Sequence, residues 1–468
     1  MNKRWKLIFG KPKLNKRASI DALAQRGNFE LLQWALSNNC KSRNLLANAA
    51  IGGHLDIIKW GYKLSYQFGK EAYENAVLNG HLDVIQFAHS IGYHSESKNT
   101  ILAAKGGHLE VLIWFDEHRC LIDQQEASLE AARNGHQHIL SWLKSKSFIP
   151  FNTQICAAAA HGGHLDILKW LIENGHIWNE ETCSQAALGG HFNVVVYAHQ
   201  TGCPWNSDTC ANAALGGHFA ILKYAHENNC RWDARTCANA ARKGRLDILK
   251  YARAHGCHWD ERTSASAALE GHFDLLQWAH QNGCLLDKST TLNAAKSKHF
   301  EILKWAKSHQ CLLDQNINYI VCKAGDFEML KWAIENGCQW NAYCSTMIIE
   351  HGDLDMIKWL HQRGYELNYG VCDDAAKKGH LHILQWLKSN NYELTSRASG
   401  LAASEGHLNI LIWLRENNCP ISRLVSSHAI RGGHLEILKW VKENGFPGNP
   451  YTSVAEVSGQ LKIIRNKM

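Results

Sequence analysis

The chain is short of proline, with six in 468 residues, and it contains no run of eighteen apolar residues. The first lack suits a helical chain, since proline breaks a helix interior. The second excludes a membrane-spanning helix of ordinary length. The opening "MNKRWKLIFGKPKLNKR" is basic, but its only apolar centre is "LIF", too short for a secretory signal. The sixteen cysteines are therefore expected as free thiols in a reducing, intracellular setting, the cytoplasm with the nucleus left open. Catalytic motifs are absent as well: the sequence has no GxxxxGK, HExxH, GxSxG or GxGxxG. The expectation is a non-enzyme without cofactor or metal. A net charge of +7, from 50 basic and 43 acidic residues, is mild and does not by itself call for a nucleic-acid partner.

What is present is a period. A ruler residue recurs at Gly27, Gly53, Gly80, Gly107, Gly135, Gly163, Gly190, Gly217, Gly244, Gly271, Lys298, Gly325, Gly352, Gly379, Gly406 and Gly433, and again at Gly459. The step is 27 residues, with 26 at both ends and 28 on either side of Gly135. The reading is a basic N-terminal segment, 1–17, followed by one continuous array, 18–468. That array holds sixteen clear repeats and a degenerate C-terminal cap. Repeats are numbered 1–16 here, from Gly27 to Gly433.

Thr236–Arg262, "TCANAARKGRLDILKYARAHGCHWDER", shows the plan. A short alanine-rich first helix, capped by its threonine, ends at Gly244. A second helix follows and ends at Gly256, and a tight turn leads onward. Counted from the ruler, the second helix is apolar at positions 2, 4, 5, 7 and 8, such as Leu165, Ile167, Leu168, Trp170 and Leu171. These cover roughly 220° of its surface, too much for a helix with one neighbour, so repeats are expected to stack on both sides. Position 3 is acidic in eleven repeats and position 6 is lysine in eight, an i,i+3 pair on the outer face. Alanine pairs in eleven first helices, such as Ala159–Ala160, allow close approach. A concave face lined by first helices is the consequence.

The alanine pair, then "GHL", then an aliphatic helix ending in "NG", as in Ala159–Gly175 ("AAHGGHLDILKWLIENG"), resembles the ankyrin repeat. The match covers nearly the whole chain, in the short form known from large DNA viruses and some protists. The usual "TPLH" start is replaced by "TC", as in Thr182–Cys183 and Thr209–Cys210. The period falls short of the family's roughly 33 residues. The resemblance implies an all-α solenoid with shortened or absent β-hairpin fingers. It also implies a monomeric, non-catalytic scaffold that binds another protein on the concave face; binding of nucleic acid or another polyanion is the alternative.

Several rows compete as sites. Twelve histidines follow the ruler, among them His164, His218 and His434. A metal ladder is one reading, a backbone tie at the turn the other; Arg245 in the same place favours the tie, since arginine is no ligand. Cysteines form one column after the second helix (Cys203, Cys230, Cys257) and another opening the first (Cys183, Cys210, Cys237). Neither is expected to bridge along itself, and "HENNC" and "HQNGC" supply only two zinc ligands each. Aromatics at position 7, such as Trp170 and Trp440, are expected to pack in the core. A second row in the turns (Trp178, Trp205, Trp232, Trp259, Trp340) either seals neighbouring repeats or stacks nucleobases. Gly163, His164, Trp170, Gly217, His218, Gly433, His434 and Trp440 are thus assigned structural duties. A basic row two residues before the ruler, Lys105, Arg133, Arg242, Lys296, Lys323 and Lys377, with His161 in register, either complements the first-helix dipole or meets an acidic partner. The strongest deviation is Asn318–Met356, where Val321, Cys322, Ile348 and Ile349 replace alanine pairs.

Overall fold

A computed structural model describes residues 16–38, 40, 42–146, 153–446, 452–457 and 460–465. Residues 1–15 of the basic N-terminal segment lie outside the described residues. The chain is a helical-repeat solenoid: 32 helices, two per repeat, run from Lys16–Gln25 to Leu435–Glu443. No strand occurs among the described residues before Thr452, so the described connections between repeats are turns without β-fingers. The chain divides into two compact blocks, Met1–Trp259 and Asp260–Met468.

Two sequence expectations need correction. The worn seventeenth repeat is instead an antiparallel hairpin, Thr452–Val457 paired with Gln460–Arg465. "TSVAEV" and "QLKIIR" are rich in β-branched residues and lack the alanine pair that lets a first helix dock. The threonine also does not cap the first helix. Thr182, Thr209, Thr236 and Thr263 are buried inside it. The caps lie three residues earlier, where Asn179, Asn206, Asp233 and Asp260 accept from the backbone N–H of Glu181, Asp208, Arg235 and Arg262. "WN" and "WD" before each "TC" are thus helix starts, with a short polar side chain suited to an orphan N–H.

Within each block the first helices pack closely on one another, whereas neighbouring second helices touch far less. Alanine explains the difference: Ala159, Ala160, Ala186, Ala187, Ala213 and Ala214 are fully buried. The second helices bury their paired aliphatic residues, such as Ile167 and Leu168 or Ile248 and Leu249, against their own first helix. At Val321–Cys322 and Ile348–Ile349 the bulkier side chains hold neighbouring first helices further apart. Position 7 is not core. Trp114 is buried at 7% exposure, but the other aromatics of the row are half-exposed. They form a surface seam: Phe192 meets Tyr224, and Phe219 meets Tyr251, edge to face at 5.5 and 5.3 Å.

The joint between repeats is made by the histidine. Nε2–H of His54, His81, His108, His136, His164, His191, His407 and His434 donates at 2.9–3.1 Å to a backbone carbonyl of the preceding repeat. Each carbonyl belongs to the residue two before that repeat's ruler. The ring fits because glycine flanks it. A Cβ on Gly163 (φ +78°) would lie 2.3 Å from Nδ1 of His191, and one on Gly189 would lie 2.6 Å from Cδ2 of the same ring. The connecting-turn glycine Gly175 (φ +84°) and the last ruler glycine, Gly433 (φ +75°), are also left-handed, yet a Cβ on either meets no described atom within 4 Å. The left-handed backbone is local, whereas the crowding comes from the next repeat. In repeat 9, Arg245 takes the histidine's place, and its guanidinium donates to the Gly217 carbonyl.

Two outcomes follow from this joint. Gly433→Ala is expected to cost about 1–2 kcal/mol, the price of left-handed alanine alone. Gly163→Ala should cost about 1–3 kcal/mol more from overpacking, and His191→Ala should abolish that surplus. Urea unfolding of Gly433→Ala, Gly163→Ala, His191→Ala and the Gly163→Ala/His191→Ala double variant measures it, and equal costs at Gly163 and Gly433 would refute the slot. The second outcome concerns acid. Burial, opposed by the hydrogen bond to the preceding repeat, holds the pKa of His136 and His380 below the ordinary histidine value. The unfolded chain then binds more protons than the folded one, so stability is complete above about pH 6.5 and is lost as pH falls through the histidine range. The thermal midpoint should fall between pH 7.5 and 5.5, and by less in His136→Gln.

Candidate functional site

The surface left open by this packing is the outer side of the first helices. In repeats 5–7 it forms a depression of about 510 Å³, lined among others by Glu126, Arg133, Ala157, Ala158, His161 and Glu181. Its floor is the first helix of repeat 6 (Gln154–Gly162), "QICAAAAHG", where Ala158 stands in the place that Gln185, Asn212 and Asn239 hold in the next three repeats. The lining also sets a register: residues nine or ten, six, five and two before the ruler share one surface. The basic row stands on it, in the last turn of the first helices.

All six basic residues are exposed. Arg133 pairs with Glu130, whereas Lys105, Lys296, Lys323 and Lys377 make no ion pair among the described residues. Lys105, Arg133 and Lys377 each have their carbonyl held by the next repeat's histidine, which leaves the side chain to face solvent. His161 has its carbonyl held likewise by His191, and its Nδ1 is buried without a hydrogen-bond partner. On the opposite rim, Glu126 and Glu181 have no ion-pair partner among the described residues. Repeat 13 breaks the basic row with Glu350, which Lys378 pairs at 3.0 Å.

The structural set is placed as follows. Gly163 and Gly217 are left-handed at φ +78° and +76°, Gly217 lying against Arg245. His218 packs on Gly190. Trp170 accepts an Asn174 amide on its carbonyl at 2.6 Å and carries the Lys144 ammonium 5.8 Å above its ring. Trp440 stacks on Phe446 at 5.5 Å. The turn tryptophans have occupied faces. Trp205 stacks on His199 at 3.7 Å and Trp232 on His226 at 3.8 Å, while Arg253 lies over Trp259 at 4.1 Å. That leaves these faces no room for a base.

Sequence reading missed two features of this surface. An asparagine column runs along it: Asn75, Asn212, Asn239 and Asn293 each donate Nδ2–H to a first-helix carbonyl of the preceding repeat, at 2.9–3.3 Å. The recurring "NA" five residues before the ruler was its signal. Three tyrosines also stand bare, Tyr319 at 49%, Tyr343 at 74% and Tyr369 at 81% exposure. They fall out of register with one another, so no periodicity marked them.

The cysteine columns meet each other instead of bridging along themselves. Cys183 lies against Cys203 under Trp178 and Trp205, and the thiols of Cys210 and Cys322 are pushed up by the adjacent Cys230 and Cys344 and by burial. All sixteen are free thiols. Burial pushes Cys156 and Cys372 up to about 12, and Cys311 and Cys338 up to about 11. Cys203, Cys230, Cys257 and Cys311 point at the carbonyl of a first-helix cap, at 3.0–3.4 Å. Among the described residues no group of three or more His, Cys, Asp or Glu could hold a metal ion, and no helix is long and apolar enough to cross a membrane.

The class these features define is a helical-repeat solenoid. No family model matches the chain, and no curated protein matches it. Among solved structures it is similar to the pentatricopeptide repeat protein PPR10 in complex with an 18-nt psaJ RNA element, at 12% identity and a TM-score of 0.34, over 95% of this chain and 79% of that one. PPR10 from maize, also at 12% identity, gives 0.31 over 96% and 76%. At such scores the likeness carries no inference about a ligand.

Thiol burial makes a direct expectation. In the native protein at mild alkaline pH, iodoacetamide should label Cys40, Cys120 and Cys419, which are partly exposed, and spare the thirteen buried cysteines. Peptide mass mapping would read this out. Rapid labelling of Cys210 or Cys230 would contradict the packing.

Proposed function

We propose that the chain is a non-catalytic interaction scaffold of ankyrin type, holding another protein along the exposed surface of its first helices. The observation that carries the reading is the depression in repeats 5–7. An alanine floor receives a projecting side chain, and the Glu126 and Glu181 carboxylates lack ion-pair partners among the described residues. Such a site fits a lysine or arginine on an extended segment of a partner, where a charge-assisted hydrogen bond adds geometry to charge. The ankyrin-like pattern of alanine pairs and "GHL" turns points the same way.

A second reading, a polyanion or nucleic-acid partner on the basic row, is favoured by one observation. Lys105, Lys296, Lys323 and Lys377 stand exposed and unpaired among the described residues. Three of these four belong to the block Asp260–Met468.

A peptide library with arginine, lysine or norleucine fixed at its centre tests the protein reading on the purified chain. Wild-type protein should select arginine or lysine peptides. The pair Glu126→Gln and Glu181→Gln should weaken them by about tenfold or more, the loss of a hydrogen bond to a charged group. Ala158→Leu, which fills the floor, should weaken them similarly. Selection of norleucine peptides with equal strength would sink this site.

A further inference from the structure

Repeats 11–14 depart from the rest of the array. Their first helices (Lys288–Lys296, Ile317–Ala324, Cys344–His351 and Val371–Lys378) include those that pack less closely, and they carry the bare tyrosines. Tyr319 and Lys323 are i,i+4 neighbours on one helix, side by side on its exposed face. Tyr343 immediately precedes the next first helix, with no side-chain hydrogen bond to its first turn, and Tyr369 stands two residues before the one after that. These places, six, nine and ten before the ruler, are among those that share one surface in repeats 5–7. None of the three rings makes an aromatic contact among the described residues. Trp205, Trp232 and Trp259 of the turn row, by contrast, are stacked on histidine or arginine. Tyr343 and Tyr369, exposed at 74% and 81%, bury little of their rings against the fold.

Across the same surface, toward the C-terminal ends of these helices, stand Lys296, Lys323 and Lys377. The carboxylates that share it are largely matched. Glu350 is paired with Lys378 at 3.0 Å, and Asp373 accepts from Thr395 at 3.0 Å with Arg397 at 3.7 Å. Asp374 has no ion-pair partner among the described residues. The surface thus has an aromatic rim and a cationic rim, separated by less than the length of a two-turn helix, about 12 Å.

We infer that this face of repeats 11–14 is a binding site for single-stranded nucleic acid, with bases stacked on Tyr319, Tyr343 and Tyr369 and phosphates met by Lys296, Lys323 and Lys377. The inference rests on the polyanion reading above. Flat exposed rings accept any base by stacking, and unpaired lysines track a backbone without reading its sequence. Four repeats at about 8–10 Å each offer a track on the order of 30–40 Å, suited to a strand and too narrow in charge for a duplex.

Fluorescence anisotropy on the full chain tests it, with labelled oligouridylate and oligothymidylate of about fifteen nucleotides and a duplex of the same length. Binding of the single strands should weaken steeply between about 50 and 200 mM salt. Each of Tyr319→Ala, Tyr343→Ala and Tyr369→Ala should lose about fivefold or more. The Phe variants, which keep the ring, should bind like wild type. Lys296→Glu with Lys323→Glu and Lys377→Glu should abolish binding, and Asp374→Asn should strengthen it. Loss on lysine reversal without loss on tyrosine truncation overturns this site and leaves a polyanion binder. No binding at low salt overturns both. Preferential binding of the duplex, or of an acidic peptide, overturns the assignment to single strands.

Discussion

An imidazole ring lodged against the ruler glycine of the preceding repeat is the constraint on which the rest of the structure hangs. Each such ring occupies the volume that a Cβ would take on the preceding repeat's ruler glycine, and its Nε2–H binds a carbonyl in the last turn of the preceding first helix. One side chain therefore performs two tasks that a helix end always raises: it satisfies an orphan acceptor and sets the distance to the next helix pair. The glycine cannot be exchanged for a larger residue even where the backbone would tolerate one, because the neighbour already fills the space. Where repeat 9 carries arginine, the guanidinium still reaches a carbonyl of the preceding repeat. Hydrogen bonding across the joint is preserved while the ring is not.

From that joint follows the division of surfaces. First helices meet through alanine and approach closely, and their asparagines and histidines bind carbonyls of the preceding repeat. Second helices meet mainly through half-exposed aromatics, edge to face, with lysines lying over rings, as Lys169 does over Tyr197 at 5.3 Å. The second-helix side is therefore committed to holding repeats together. The first-helix side is committed at its carbonyls and free at its side chains, which makes it the surface on which a partner can be read.

Charge and ring chemistry are unevenly distributed over that surface. In repeats 5–7 carboxylates without an ion-pair partner among the described residues flank a floor of alanine. In repeats 11–14 unpaired lysines face bare tyrosines, in the stretch where alanine pairs give way to valine, cysteine and isoleucine. Bulkier residues at the first-helix contact widen the spacing, and the departures that loosen the packing fall in the same repeats as the departures that expose chemistry. A scaffold of nearly identical parts acquires distinct sites where the parts stop being identical.

The period, the helix pair, the stacking and the tie made by histidine could all be read from the amino-acid order, because each rests on local spacing: glycine at fixed steps, apolar residues on one helix face, a polar residue at a turn. The order also marked the basic row. It could not say that Asn179 and Asp233, rather than Thr182 and Thr236, cap the first helices, since either type can cap and only the position of the first turn decides. Nor could it say that the position-7 aromatics lie half-exposed, that the "NA" asparagines reach back one repeat, or that Arg133 is paired while Lys323 is not. Tyr319, Tyr343 and Tyr369 sit at three different places in the repeat. Only the packing of one first helix beside the next brings those places onto one face, because exposure is a property of neighbours and not of spacing along the chain.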